Sequence, residues 1–183
     1  PSRRKFFKAA AATGVAAVAA SSLAAPAVAK ERIEASMVAT WGRDFPGLGT
    51  GAQRFAQRII DMSDGRIQVT YYAANERVKA FDSFDEVASG NSQMYHAADY
   101  YWVKKDPAWG YFTAVPFGFT YTEMNAWIRF AGGQQLWDEL SDKFGLKNFM
   151  CGSTGVQMGG WFNKKIRSPN DFKGLKMRMP GLG

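Results

Sequence analysis

Cysteine and histidine each occur once in this chain, as Cys151 and His96. A single cysteine excludes an internal disulfide, and one Cys with one His leaves nothing resembling a zinc cluster. No nucleophile stands beside an evident base. His96 sits next to Tyr95 in an apolar stretch, where a packed, hydrogen-bonded histidine is the plainer expectation. After residue 30 no basic run is interleaved with aromatics, which argues against a nucleic-acid surface. Internal repeats and low-complexity segments are absent. Spanning a bilayer takes about 20 strongly apolar residues. The alanine-rich stretch at residues 9–23 is too short and too weakly apolar for that.

What is present starts with Ser2-Arg3-Arg4-Lys5-Phe6-Phe7-Lys8, then the alanine-rich stretch, then Ala27-Val28-Ala29. That order is a charged region, an apolar region and an A-x-A cleavage site, and it reads as an export signal over residues 1–29. The paired arginines resemble the twin-arginine signal, so periplasmic delivery by that pathway is expected. Removing Arg3, Arg4, Lys5 and Lys8, with no acid among residues 1–29, lowers the net charge from +7 to +3. The remaining chain is mildly basic, of ordinary globular length, and 15% of the whole sequence is aromatic.

Periodicity predicts alternating elements. Residues 33–40 are apolar with β-branched members and predict a strand. Residues 50–62 place Phe55, Ile59 and Met62 at helical spacing, and Ser63-Asp64-Gly65 ends that helix. Residues 66–73 alternate Ile67, Val69 and Tyr71, a second strand. Residues 80–90 carry a helical stripe of Phe81, Phe84 and Val87, and residues 93–98 are a short third strand. This βαβαβ start predicts a mostly parallel sheet covered by helices, an α/β fold. Residues 99–119 hold eight aromatics broken by Pro107 and Pro116. Such a stretch either packs on the core or walls a pocket. Helices are predicted at 122–131 and 134–144, the latter with Leu136, Trp137 and Leu140 inward. Residues 146–150 read as a strand. Residues 152–162 are glycine-rich and strand-like: a crossover, or a place of close approach to a ligand. Residues 168–171 read as a turn, and 172–180 as a strand.

Several stretches carry a resemblance. Phe172-Lys173-Gly174-Leu175-Lys176-Met177-Arg178-Met179-Pro180 resembles the F-x-G-L-K-[MI]-R signature of the solute-binding receptors of TRAP (tripartite, ATP-independent, periplasmic) transporters. Gly155-Val156-Gln157-Met158-Gly159-Gly160-Trp161-Phe162 is similar to the branch that binds 2-oxo monocarboxylates such as pyruvate. Tyr100-Tyr101-Trp102, Lys105-Asp106-Pro107 and Ala114-Val115-Pro116-Phe117 match that branch too. The resemblance implies a two-lobed receptor of the type II periplasmic-binding-protein kind. Residues 30–150 would belong to lobe I, and 151–183 to the crossover and the start of lobe II. Family members are about twice as long as the part after residue 29, in keeping with two lobes of ordinary domain size. The implied activity is capture of a small carboxylate and its delivery to TRAP membrane subunits, without catalysis. A periplasmic enzyme or a signalling receptor acting on a keto acid is the alternative, and a homodimer of the full-length protein stays open.

The resemblance also assigns residues. Arg178 matches the family's carboxylate clamp, a role that suits a planar guanidinium able to make two parallel hydrogen bonds. A solvated Arg is the reading without the motif. Gln157 matches a residue that helps to hold a cation, usually sodium, bridging to the substrate carboxylate. A hard cation needs several oxygens, and the resemblance places the other protein ligands past Gly183. No organic cofactor is expected. Tyr100 or Tyr101 would cap the ligand with an apolar ring and one hydroxyl. Trp41 and Phe45 follow the first strand, where ligands of open α/β sheets bind, and are expected as an apolar wall.

Overall fold

The computed structural model describes residues 32–178. The expected signal at 1–29 and the last residues of the signature lie outside the described residues. Contacts divide the chain into Pro1–Arg32 and Ile33–Gly183, and the second unit carries the fold.

Its sheet has three parallel strands in the order β2-β1-β3: β1 at Ile33–Ala39, β2 at Ile67–Tyr72 and β3 at Met94–His96. β1 is central. It pairs Ile33 with Ile67 on one side and Ala39 with His96 on the other. The parallel βαβαβ start is as the periodicity predicts. Helix α1, Leu48–Met62, crosses from β1 to β2. Of the expected stripe of Phe55, Ile59 and Met62, Ile59 packs inward while the other two do not. Ala52 and Ala56 are buried with Met37 and Val69, and Ile59 packs beside them. Phe55 is exposed, and Met62 is 87% exposed. Alanines at the contact let the helix backbone approach the sheet, whereas a phenylalanine there would hold it away.

A 3₁₀ turn at Ala80–Asp82 leads into α2, Ser83–Ala88. Phe84 is buried and Val87 packs on the same core, but Phe81 stays exposed. Helix α3, Tyr121–Phe130, starts where Thr120 and Glu123 bond to each other's backbone N–H groups. This capping box satisfies two otherwise orphan donors. Helix α4, Gly133–Asp142, buries Trp137 and Leu140 as expected, whereas Leu136 is half exposed. A Cβ on Gly133 would lie 2.8 Å from Trp127 Cδ2, so glycine permits the tight α3–α4 corner. Both readings of the aromatic stretch apply. Trp102, Trp109 and Phe112 enter the main core with Phe84, Met124, Ile128, Trp137 and Leu140. Phe112 and Phe119 also line, with Trp127 and Leu136, an apolar cavity of about 580 Å³.

Three expected strands are not formed. Residues 146–150, 152–162 and the described part of 172–180 have no ladder partner among the described residues. Extended backbone without a paired neighbour does not hold as a strand, and Gly152, Gly155, Gly159 and Gly160 add backbone freedom. The expected turn is present as a 3₁₀ turn at Pro169–Phe172, in which the Arg167 and Ser168 N–H groups donate to Asp171. No helix among the described residues is long and apolar enough to cross a membrane.

Candidate ligand-binding site

Parallel strands bring their carboxyl ends to one edge of the sheet, the usual ligand edge of open α/β folds. Here the loops after Ala39, Tyr72 and His96 meet. The loop after β1 is tied to the loop after β2. The Ala74 N–H donates to the Trp41 carbonyl at 2.9 Å. Arg43 Nε donates to Glu76 Oε1 at 2.8 Å, and Arg43 Nη2 donates to the Tyr71 carbonyl at 3.2 Å. Glu76 in turn accepts from the Ala73 N–H. Asp44 and Asn75 take the left-handed conformations these loops require, which short polar side chains tolerate. A Cβ on Gly49 would lie 2.4 Å from the Gly42 carbonyl oxygen, so only glycine lets the loop fold back on α1.

On this frame sits an aromatic cluster. Trp41 meets His96 edge-on with ring centroids 5.1 Å apart, and Tyr101 at 6.4 Å. Tyr101 also packs against Tyr100 at 4.7 Å and Phe81 at 5.0 Å. Burial, and then the Tyr100 hydroxyl, push the Tyr101 phenol up to about 12, while the Arg178 charge and the Trp41 N–H pull it back. Arg178, far along the sequence, therefore comes within electrostatic reach of Tyr101.

The structure thus gathers Trp41, Tyr100 and Tyr101, with the Arg178 charge in electrostatic range of Tyr101. Phe45 is half exposed beside α1 and makes no ring contact with them among the described residues. Gln157 is exposed and separate, its Nε2 donating to Thr154 Oγ1 at 3.0 Å. That bond uses one of the two amide N–H donors and leaves the neutral carbonyl oxygen unengaged by it. Such an oxygen suits a hard cation as one ligand of several, not as a cage. Among the described residues no group of three or more His, Cys, Asp or Glu could hold a metal. His96 is packed, and burial lowers its pKa while a hydrogen bond with the Leu48 backbone pulls the other way. The Cys151 thiol is pushed up by desolvation and by nearby Asp99, the reverse of an activated nucleophile.

Sequence reasoning missed the buried Asp99 network. Trp137 Nε1 donates to Asp99 Oδ2 at 2.7 Å, and Asn148 Nδ2 donates to the same oxygen at 3.2 Å. Asn148 Nδ2 also donates to the Tyr95 hydroxyl at 2.9 Å. The network joins the end of β3 to α4 and to the segment leading towards Gln157. The one available signal was an acid placed inside an apolar run just before Tyr100-Tyr101. Burial raises the Asp99 carboxyl to about 7, against its hydrogen bonds from Trp137 and Asn148. A raised carboxyl binds its proton more tightly in the folded state. Its contribution is therefore fully present below the unfolded pKa and lost as pH rises through about 7. Relative to Asp99→Asn, the wild type is expected to lose up to about 1.4 kcal/mol of stability per pH unit across that window. Denaturant unfolding of both proteins from pH 4 to pH 8 measures it. Parallel pH profiles would mean that the carboxyl stays ionised throughout.

The profile of the family described as bacterial extracellular solute-binding protein, family 7, matches residues 38–182. A monocarboxylate 2-oxoacid-binding periplasmic protein of Nostoc sp. is 41% identical over 147 residues, covering 80% of this chain and 40% of the relative. A TRAP periplasmic solute-binding protein from Pseudoalteromonas atlantica, solved with bound sodium and pyruvate, is 45% identical with a TM-score of 0.79. Another from Colwellia psychrerythraea, solved with bound calcium and pyruvate, is 41% identical with a TM-score of 0.80. In both cases the match covers 82% of this chain and 46% of the solved chain. The chain therefore spans less than half the length of each of these three proteins.

Proposed function

Because the chain belongs to the bacterial extracellular solute-binding protein family 7, we propose that it serves as the receptor of a TRAP transporter and takes a small 2-oxo monocarboxylate such as pyruvate. The observation that carries this reading is the aromatic cluster of Trp41, Tyr100 and Tyr101 at the carboxyl edge of the sheet, with the Arg178 charge in electrostatic range of Tyr101. A cationic fork beside a phenol and an indole suits a small acid with a short apolar body. The pyruvate bound in two relatives of the same fold supports the choice of acid. Tyr101 and Trp41 would wall the ligand, and Arg178 would hold its carboxylate. Gln157 would supply one oxygen to a sodium or calcium ion beside it, and that ion would add positive charge where the carboxylate sits. Closure of a second lobe on the ligand would give the TRAP membrane subunits a form to recognise. Export by the twin-arginine pathway belongs to the same proposal and rests on Ser2-Arg3-Arg4 and Lys8.

Calorimetry on the full-length protein with pyruvate, 2-oxobutyrate, lactate and succinate tests the substrate class. The two 2-oxo acids are expected to bind most tightly. Preference for succinate would place the protein in another branch of the family. Exchanging sodium for N-methylglucamine is expected to weaken pyruvate binding, and Gln157→Ala to remove most of that dependence. Affinity indifferent to the cation would remove Gln157 from the site.

A further inference from the structure

His96 is the one histidine of the chain, and neither the carboxylate clamp nor the cation uses it. It ends β3, where its backbone carbonyl accepts from the Thr40 N–H at 3.1 Å, so it is fixed to the last residues of β1. Its ring meets Trp41 edge-on, with centroids 5.1 Å apart. Trp41 in turn faces Tyr101 at 6.4 Å, and its N–H acts on the Tyr101 hydroxyl. Tyr101 is the residue that feels Arg178. A line of ring contacts therefore runs from His96 at the end of β3 through Trp41 to Tyr101.

We propose that His96 is a positioning residue: it fixes the rotamer of Trp41, and through Trp41 the place of the Tyr101 hydroxyl in the ligand site. The physical reason lies in the loop. Trp41 leaves β1 on a segment anchored through its carbonyl to Ala74 and through Arg43 to Glu76, and these bonds set the backbone. They leave the indole free to rotate about its own side-chain torsions. The edge of a ring fixed at the end of β3 and packed on the indole removes that freedom. A ligand then meets a wall already in place, and less ordering is required on binding. The inference rests on the receptor reading given above.

The test is a double-mutant cycle on the full-length protein with pyruvate in sodium buffer. His96→Ala is expected to weaken binding on the order of tenfold, within the range of couplings between contacting residues. Trp41→Ala should weaken it at least as much. The double mutant should bind no worse than Trp41→Ala alone, because His96 acts through Trp41. His96→Phe keeps a ring edge against Trp41 and should bind within a few-fold of wild type; it also serves if His96→Ala unfolds. Losses that add in full in the double mutant, or a His96→Phe variant as weak as Trp41→Ala, overturn the proposal. So does a His96→Ala variant that binds like wild type. A wild-type protein that binds no 2-oxo acid refutes the receptor reading itself, a separate outcome.

Discussion

Arg178→Ala is expected to weaken pyruvate binding by roughly a hundred- to a few thousand-fold. Removing one partner of a desolvated charge pair costs about 3–5 kcal/mol, at about 1.4 kcal/mol per factor of ten. The size follows from burial: when a lobe closes, the ligand carboxylate loses its water and Arg178 has to replace it. Arg178→Lys should recover only part of the loss, because an ammonium lacks the planar fork. Stability without ligand should hardly change, since Arg178 is exposed. Calorimetry paired with thermal melting separates the two effects. A mutant that binds like wild type ends the clamp role, and one that melts early without ligand makes Arg178 structural.

The largest expected loss of stability lies at Phe84→Ala. Phe84 is 1% exposed and meets Tyr95, Trp102, Trp109 and Phe144 at centroid distances of 5.1 to 6.1 Å. Four rings around one void cannot collapse inward together, so the cost falls at about 3–5 kcal/mol. That is a large part of the 5–15 kcal/mol typical of a folded domain. Phe81→Ala, three residues earlier on an exposed ring, should cost far less. Denaturant unfolding of both variants measures the contrast, and equal losses would place the core elsewhere.

The sheet was legible in the sequence because parallel strands bury runs of apolar residues. Residues 33–40 and the alternation at Ile67, Val69 and Tyr71 recorded that directly. The inward face of α1 was not legible. Phe55 outweighs Ala52 on any hydropathy scale, yet close helix–sheet approach selects the smaller side chain. The strands expected after residue 145 depended on pairing, and pairing is not a local property of a glycine-rich segment. Position at a strand end pointed to Trp41, and a motif pointed to Arg178 and Tyr101. Nothing local pointed to the Trp41–His96 contact or to Asp99. Their roles come from partners such as Trp137, Asn148 and Leu48, which only the fold brings near.

Arg178 and the aromatic cluster are proposed to hold a small carboxylate at the strand ends. A crystal structure of the full-length protein grown with pyruvate and sodium tests it most directly. The expected structure has the pyruvate carboxylate on the Arg178 guanidinium, with two N–H···O contacts of about 2.7–2.9 Å, and Trp41 and Tyr101 against the rest of the ligand. Pyruvate bound away from the strand ends, with Arg178 in solvent, would contradict it.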